Sequence, residues 1–565
     1  MSKETAETAA GALGPEVRQL VEVDPVGLAR AFASALSGSM RRPLPAGAAL
    51  GRYATTLGRA WGAAIARMAG GTAEGPLAPE TKDGRFKDLA WSANPWYFFV
   101  LQSYLAAARL LDELVHVPKQ DVPSRMKAEI YTELLTAALA PTNFLPTNPA
   151  ALKRAFDTAG ASLVAGARNF AGDLLHNGGR PRQVDTSGFK IGVNLAATPG
   201  KVVFRNDLME LIQYQPHAGK VYEHPLLASP PWINKYYIMD LAPGRSFIEW
   251  AISHGHTTFA ISYRNPDASM ASVTMDDYLI EGPRTALDVI TEITGSETID
   301  VVGLCLGGAL TAITAGYLAA VGDNRLGTLT LLNTLLDYSE PGALGSFTDE
   351  ASVARLEQTM AKAGYLPSSS MSQTFDLLRP NELIFNYVVS NWLMGDSPPA
   401  FDILAWNGDS TRMPAAMHSF YLRSCYIENQ LARGEMTIAG ERIDLHSVKS
   451  EVYAVSAIND HIVPWHSAFK TTGLTGDGVR FVLSNGGHIA GVVNPPGPKS
   501  WFLTDGPATG SAEEWRDGAT RHEGSWWEDW EKWASSRSGR RVPPPPIGSE
   551  RYPAIEDAPG RYVLG

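Results

Sequence analysis

One cysteine of this chain, Cys305, has the surroundings that a nucleophile needs. It lies in the segment 299–310, at the centre of residues 303–307, which have the sequence Gly-Leu-Cys-Leu-Gly. One apolar run leads into these five residues and a second apolar run follows them. The glycines on either side permit the sharp turn between a strand and a helix that pushes a side chain outward. Acylation of a cysteine gives a thioester, which keeps the acyl group activated for transfer to an alcohol. The predicted chemistry is therefore acyl transfer from a thioester donor, as well as hydrolysis.

An acid and a base follow Cys305 in the chain, each just after a predicted strand. Asp460 follows the apolar run 450–455, and His488 follows the run 480–483 through a small, glycine-rich loop. A thiol needs a base to form the thiolate, and the base needs an acid that orients it. Hydrolases with this kind of turn carry the nucleophile, the acid and the histidine in this order. Cys305, Asp460 and His488 are therefore the predicted catalytic triad.

Each member of this triad also has a purely structural interpretation. An isolated cysteine is usually a small core residue, an aspartate at a strand end often caps a turn, and a lone histidine is often structural. His461 is the weaker candidate for the base, because it lies beside Asp460 on the same loop. His254 and His256 precede a strand, at the edge usually remote from the site, and are interpreted as structural. The joint occurrence of the three residues, in order and on suitable elements, favours catalysis.

An oxyanion hole is predicted from main-chain N–H groups. One donor is the N–H of Leu306, directly after the nucleophile, and the second comes from the loop 229–237 after an earlier strand. Two consecutive prolines in that loop have no N–H to donate. Trp232 or Ile233 is therefore the predicted second donor.

The elements that position these residues fall into two patterns along the chain. Residues 1–185 show helical spacing of apolar residues without strand-like alternation, which predicts an α-helical N-terminal domain. Residues 186–565 alternate short strands with helices, which predicts a catalytic domain with the mostly parallel sheet of an α/β-hydrolase fold, flanked by helices. Between about 337 and 447 the alternation lapses, which predicts a cap inserted over the sheet's carboxyl edge. The predicted strands are 201–204, 209–214, 225–229, 257–262, 298–302, 328–332, 450–455 and 480–483.

Composition excludes several other classes of protein. The 565 residues carry a formal net charge of −11, which argues against a nucleic-acid partner. Two cysteines make no disulfide framework and fit a reduced, cytoplasmic setting, and the polar residues 1–5 do not begin a signal peptide. The uncharged stretch 301–322 is predicted to be the end of a strand and a buried helix, not a membrane span. Tryptophans at helical spacing in 526–533 predict a helix docked on the core, and no metal site is predicted.

A series of colinear motifs makes the chain resemble the polyhydroxyalkanoate synthases, closest to the single-subunit class I enzymes, over about residues 80–565. The motifs are 85–97, 143–149, 231–241, 262–266, 303–308, 406–411, 459–465, 487–491 and 558–563. The catalytic set of that family falls on Cys305, Asp460 and His488. Trp232 departs from the smaller residue often found at its position, which weakens the prediction of the second oxyanion donor.

The resemblance implies polymerisation of (R)-3-hydroxyacyl-CoA, with short units such as 3-hydroxybutyryl-CoA favoured, into a polyester through an acyl-cysteine and with release of CoA. No cofactor is expected, since the CoA thioester is the substrate. The growing polyester chain, a cytoplasmic location at the surface of polyhydroxyalkanoate granules, and a homodimer are implied as well. Two alternatives remain open: a cysteine-dependent thioesterase or esterase of the same fold, and a non-catalytic scaffold that coats granules.

Overall fold

The computed structural model describes residues 25–565 except residues 82, 477, 508 and 509. The described chain forms two compact units. The helical unit comprises the described residues up to Asp185 together with Ser370–Ala400, and the α/β unit comprises Thr186–Ser369 and Phe401–Gly565. The polar residues 1–5, on which the prediction against a signal peptide rests, lie outside the described residues.

The helical unit is built from amphipathic helices. They are α1 (Pro25–Met40), α2 (Pro43–Met68), α3 (Ala90–Ala93), α4 (Pro95–His116), α5 (Val122–Ala138), α6 (Pro149–Asp157) and α7 (Ala161–His176). Helix α4 begins where Asn94 accepts a hydrogen bond from the Trp96 N–H at 2.9 Å and Pro95 occupies the first helical position. Small side chains let α2 and α4 approach closely, since Ala63 and Ala64 pack against Phe98.

The predicted insertion 337–447 is divided between the two units. Its part Ser370–Ala400 packs within the helical unit, where the indole of Trp392 donates to Asp173 at 2.9 Å and stacks edge-on against Phe170. The packing is tight, because a Cβ added at Gly166 would overlap the carbonyl of Trp392. The remainder of the insertion belongs to the α/β unit. Periodicity within the segment could not reveal this division, because the division depends on contacts such as that of Trp392 with Asp173, 219 positions earlier in the chain.

The α/β unit is organised around one large sheet. The strands are β1 (Gly200–Arg205), β2 (Met209–Tyr214), β3 (Val221–Tyr222), β4 (Leu226–Ser229), β5 (Thr258–Tyr263), β6 (Ile299–Leu304), β7 (Leu326–Leu332), β8 (Tyr365–Leu366), β9 (Met413–Pro414), β10 (Thr437–Ile438), β11 (Glu441–Arg442), β12 (Val452–Ala457), β13 (Val479–Ser484), β14 (Trp501–Thr504), β15 (Thr520–Glu523), β16 (Arg541–Val542) and β17 (Glu556–Asp557). The sheet has the order β15-β14-β13-β12-β7-β6-β4-β5-β2-β1-β17. Every predicted strand is present.

The centre of this sheet is parallel and its edges are antiparallel. Strands β5, β4, β6, β7, β12 and β13 pair in parallel, and antiparallel pairs flank them on both sides. All six residues of β6 and of β12 are buried, as expected for strands covered by helices on both faces. The predicted fold, an α/β-hydrolase sheet with a helical N-terminal region, is confirmed.

Helices cover the sheet and fill the remaining connections. They are α8 (Phe247–Ser253), α9 (Met275–Leu279), α10 (Thr285–Thr294), α11 (Leu306–Val321), α12 (Glu350–Ala363), α14 (Asp402–Gly408), α15 (Ala415–Tyr421), α16 (Trp465–Phe469), α17 (Thr471–Leu474), α18 (Ala512–Gly518) and α19 (Trp526–Ser535). Helix α13 (Ser368–Leu378) lies between α12 and α14 in the chain, and from Ser370 onward it belongs to the helical unit. The uncharged stretch 301–322 forms the end of β6 and the buried helix α11, as predicted. In the part of the chain that the structure describes, no helix has the length and apolar character needed to cross a membrane.

Two C-terminal segments complete the α/β unit. Helix α19 buries Trp526, Trp527 and Trp530, and the Trp530 indole donates to the Thr330 hydroxyl of β7 at 2.9 Å. The predicted docking of this helix on the core is thereby confirmed. Further along the chain, β17 pairs with β1. The carboxylate of Glu210 is fully buried and accepts hydrogen bonds from the main-chain N–H groups of residues 561 and 562, at 3.1 and 3.0 Å.

Candidate active site

Cys305 lies at a strained turn between β6 and α11. Its φ of 52° falls in the left-handed region that residues other than glycine rarely adopt, and its main-chain N–H donates to the Leu332 carbonyl at 2.8 Å. The turn leaves no room for larger neighbours, because a Cβ at Gly303 would lie 2.6 Å from the Cα of Gly308. The thiol is partly exposed. The predicted sharp turn between a strand and a helix is therefore present, with Cys305 at its tip.

Asp460 and His488 come together beside this turn. They follow the parallel strands β12 and β13, and His488 Nδ1 lies 2.6 Å from Asp460 Oδ2. The other carboxylate oxygen, Oδ1, accepts the N–H groups of Ile462 at 2.8 Å and Val463 at 2.9 Å. The Asp460 side chain is fully buried, so its orientation is fixed by these partners. It is His488, not the neighbouring His461, that the carboxylate holds through this short hydrogen bond.

The electrostatics of His488 favour its protonated form. Burial by itself would lower the pKa of the imidazole, but the charges of Asp460 and Cys305, and the hydrogen bond to Asp460, outweigh burial and hold the pKa well above its usual value. An imidazolium next to a sulfur stabilises the thiolate, which is the nucleophilic form of cysteine. The three predicted residues thus form one connected set, in which Asp460 orients His488 and His488 faces Cys305.

The second cysteine provides a contrast within the same unit. Cys425 is fully buried, and burial raises the pKa of its thiol to about 12. A thiol with such a pKa is almost entirely protonated at neutral pH and is a poor nucleophile. Of the two cysteines, Cys305 alone combines partial exposure with a charged histidine partner.

The loop that was predicted to supply the second oxyanion donor lies against the turn at Cys305. A Cβ at Gly307 would come closer than 3.0 Å to the carbonyl oxygens of Ser229 and Pro230, so this loop touches the start of α11 directly. Leu306, the first residue of α11, has no carbonyl four residues earlier in the helix, so its N–H is not used within the helix. The structure thus brings the predicted first donor and its loop together. The choice between Trp232 and Ile233, both buried in that loop, stays a prediction.

A buried lysine braces this loop. Lys235 Nζ lies 3.0 Å from the carboxylate of Asp409 and donates to the main-chain carbonyl of Val563 at 2.7 Å. The main-chain carbonyl of Lys235 accepts a hydrogen bond from the indole of Trp406 at 2.7 Å. These contacts join the motifs 231–241, 406–411 and 558–563, which lie far apart in the sequence.

Three tyrosines form an aromatic layer, and two of them interact electrostatically with Cys305. The rings of Tyr338 and Tyr426 lie 4.9 Å apart, and Tyr421 completes the layer with an edge contact to each. Burial is the main cause that raises the pKa of all three hydroxyls, and the charge of Cys305 raises the pKa values of Tyr338 and Tyr426 further. Tyr421 also packs edge-on against the indole of Trp232. The sequence indicated only that this region is rich in large apolar residues, because the layer forms from two separate segments.

Family models match the chain from residue 82 to residue 495. A family model described as "Poly-beta-hydroxybutyrate polymerase (PhaC) N-terminus" matches residues 82–251, and one described as "alpha/beta hydrolase fold" matches residues 234–495. A poly(3-hydroxyalkanoate) polymerase of Methylorubrum extorquens is 45% identical over 508 residues, covering 89% of this chain and 84% of the relative.

Two further relatives are described as poly(3-hydroxyalkanoate) polymerase subunit PhaC. That of Rhizobium meliloti is 43% identical, with 89% of this chain and 83% of the relative covered. That of Cupriavidus necator is 41% identical over 539 residues, with 94% of this chain and 90% of the relative covered. The chain therefore belongs to the poly(3-hydroxyalkanoate) polymerases, a family of polymer-forming acyltransferases with an α/β-hydrolase domain.

Proposed function

We propose that this chain polymerises (R)-3-hydroxyacyl-CoA into a polyester, with an acyl-cysteine at Cys305 and release of CoA. The observation that carries the proposal is the 2.6 Å hydrogen bond by which Asp460 holds His488, together with the electrostatic interaction of His488 with Cys305 at the turn. Membership of the polymerase family supports the polymer as product. The cycle needs no metal or cofactor, because the thioester substrate already carries an activated acyl group.

The first half-reaction loads the cysteine. Nε2 is the imidazole nitrogen that remains available, since Nδ1 faces Asp460, and it takes the proton of the Cys305 thiol. The thiolate attacks the substrate carbonyl, the carbon–sulfur bond to CoA breaks, and the departing CoA thiolate receives the proton from His488. Main-chain N–H groups at Leu306 and in the loop 229–237 hold the negative oxygen of the tetrahedral intermediate.

The second half-reaction elongates the chain. The 3-hydroxyl of another unit attacks the acyl-cysteine and gives its proton to His488 Nε2. A carbon–oxygen bond forms, the bond to Cys305 breaks, and the histidine returns the proton to sulfur. General-base help of this kind contributes ~10²–10⁴-fold to such a step.

Asp460 acts through His488 in this proposal. Oδ1 is occupied by two main-chain N–H groups and Oδ2 by the imidazole, and the side chain is fully buried. A carboxylate with both oxygens engaged is poorly placed to take a proton from a substrate hydroxyl directly. It is well placed to hold the ring and to stabilise the imidazolium that forms in each half-reaction.

The aromatic layer accounts for transfer to an alcohol in preference to water. Tyr338 and Tyr421 are buried and Tyr426 is half-buried, and the charge of Cys305 acts on the hydroxyls of Tyr338 and Tyr426, so the layer limits the access of water to the acyl-cysteine. Short units such as 3-hydroxybutyryl-CoA are the proposed substrates, a choice supported by the description of the matching N-terminal family model. Measuring CoA release with units of increasing side-chain length tests this preference, and faster release with long chains would contradict it.

The helical unit is the proposed contact to the polyester granule, with the enzyme located in the cytoplasm. Several of its large apolar side chains are exposed: Trp96, Phe144, Phe156, Val164 and Leu175. Phe156→Ser and Leu175→Ser together are expected to weaken sedimentation with polyester granules while CoA release from soluble substrate stays unchanged. The proposed homodimer is tested by light scattering of the purified protein.

The decisive experiment supplies purified protein with 3-hydroxybutyryl-CoA and follows free thiol and product solubility. Insoluble polyester with CoA release is the expected result, and Cys305→Ala is expected to abolish both. Free hydroxy acid with CoA would instead identify a thioesterase, and no CoA release from the wild type would identify a non-catalytic scaffold. Mass spectrometry of the quenched enzyme should locate the acyl group on Cys305, with the unreactive Cys425 as internal control.

A further inference from the structure

Asn333 connects the segments that carry all three proposed catalytic residues. It directly follows β7, which lies in the sheet between β6, leading to the nucleophile, and β12, leading to the acid. Its main-chain N–H donates to the Val455 carbonyl of β12 at 2.8 Å, and its side-chain amide donates to the main-chain carbonyl of His488. The preceding residue, Leu332, accepts the N–H of Cys305 at 2.8 Å.

We propose that Asn333 is a positioning residue, which holds the main chain of His488 so that the imidazole faces Cys305. This inference rests on the proposed acyl-cysteine function. Asp460 and Asn333 then have complementary roles. Asp460 sets the orientation of the ring, and Asn333 sets the position of the backbone from which the ring projects.

The loop that carries His488 needs a contact that fixes the position of its main chain. Two glycines precede the histidine, and Gly486 has a φ of 110°, so the loop has little conformational preference of its own. Asn459 holds the beginning of the loop, with its N–H donating to the Gly486 carbonyl at 3.0 Å. Asn333 holds the carbonyl of the catalytic residue itself. A misplacement of ~1 Å at such a residue can cost ~10²-fold in rate.

The residue type at 333 follows from two demands. The backbone has a φ of 43°, a left-handed conformation that asparagine, aspartate and glycine tolerate better than other residues. The side chain is completely buried and must donate a hydrogen bond to a carbonyl. Glycine would satisfy only the first demand, and an aspartate would set a carboxylate oxygen against the carbonyl of His488. Of these three, asparagine satisfies both.

The test uses Asn333→Gly and Asn333→Asp, which both permit the left-handed backbone. We expect kcat for CoA release to fall ~10- to 100-fold while KM changes less than about twofold. We also expect iodoacetamide alkylation of Cys305 at neutral pH to slow, because the imidazolium moves away from the sulfur. The titratable groups facing the imidazole are Asp460 and Cys305, and both variants leave them in place.

Asn148→Asp is the matched control for a general loss of stability. The buried amide of Asn148 donates to the Thr142 carbonyl at 2.6 Å in the helical unit, and its oxygen accepts the Ala151 N–H, a role that aspartate keeps. This variant is expected to lower Tm without changing the alkylation rate of Cys305 or kcat.

Two results would overturn the inference. One is a wild-type kcat and alkylation rate in folded Asn333→Gly and Asn333→Asp. The other is an equal slowing of Cys305 alkylation in Asn148→Asp. The alkylation rate can be measured without polymerase activity, so it tests this inference even if the proposed function fails. That failure would appear separately as CoA release by Cys305→Ala.

Discussion

Substituting Gly307 with alanine tests how the proposed oxyanion site is built. Gly307 is the second residue of α11, and a Cβ at this position would lie closer than 3.0 Å to two carbonyl oxygens and one carbonyl carbon of Ser229 and Pro230. Ordinary van der Waals contact begins at 3.4 Å, and all three atoms belong to main chain, which cannot rotate away. The loop that follows β4 must therefore move from the helix by ~1 Å.

The expected effect on catalysis is larger than the effect on stability. Overpacking of this kind costs ~1–3 kcal/mol of the free energy of unfolding. The displacement also separates the second oxyanion donor, Trp232 or Ile233, from the N–H of Leu306. Loss of one oxyanion donor typically lowers kcat by ~10²–10³-fold. We therefore expect Gly307→Ala to fold, with a lowered Tm, and to lose at least ~10²-fold in kcat with 3-hydroxybutyryl-CoA.

The assay follows free thiol at saturating substrate, with Tm measured on the same preparation. Gly473→Ala is the matched control, because it makes the same substitution within helix α17 of the same unit, and a Cβ there would meet nothing within 4 Å. It should leave kcat unchanged and stabilise the protein by ~0.5–1 kcal/mol, as alanine does relative to glycine within a helix. A Gly307→Ala protein with kcat within twofold of the wild type would refute the idea that this loop serves the reaction.

The remaining predictions concern the acid, the loop brace and a buried histidine. Burial lowers the pKa of His488 and the charge of Asp460 raises it, and Asp460→Asn removes that charge. We therefore expect kcat to fall ~10²–10⁴-fold and alkylation of Cys305 at pH 6 to slow. Unchanged rates would contradict the orienting role of Asp460. In the wild type, the raised pKa of His488 contributes to the free energy of unfolding below about pH 6.5, and this contribution is lost as the pH rises through the pKa of His488 in the folded protein. Urea titrations of Asp460→Asn should not show this loss of stability with rising pH. Lys235→Met should lower the free energy of unfolding by ~1–3 kcal/mol and reduce kcat, because it removes the contacts of the ammonium group with Asp409 and with the carbonyl of Val563. An unchanged kcat would show that the lysine contributes to stability alone. Burial lowers the pKa of His256 to about 3, so the protein should lose stability as the pH falls from about 6.5 toward that value, and His256→Phe should show a smaller loss in urea titrations across this range.

Local patterns were sufficient for the strands that carry the proposed site. Strands β6, β12 and β13 are short apolar runs bounded by loop residues, and the chemistry lies immediately after each of them. A parallel sheet brings carboxyl ends to one edge, so Cys305, Asp460 and His488 could be assigned to one site without any tertiary information. Their contacts in the structure agree with that reasoning, down to the pairing of Asp460 with His488 in preference to His461.

Features that depend on distant segments were not predictable in this way. Strand β17 consists of two residues that extend only because β1 pairs with them, so no periodicity marks it. The aromatic layer combines Tyr338 with Tyr421 and Tyr426, more than 80 positions later, and its members resemble any other apolar residues of the insertion. Asn333 likewise shows no pattern in the sequence, because its importance comes from one hydrogen bond to a residue 155 positions away.

The attachment of residues 556–563 to the sheet has a consequence for how the protein folds. Val563 reaches Lys235 across 328 positions, and the N–H of residue 561 reaches Glu210 across 351. Contacts of such long sequence separation form late, because closing the large loop between the two segments costs conformational entropy before the contact can stabilise the fold. Until then β1 presents an unpaired edge, the kind of surface through which partly folded chains associate with one another. Inclusion bodies and slow maturation of activity are therefore the expected difficulties when the chain is expressed quickly, and lower temperature during expression should relieve both.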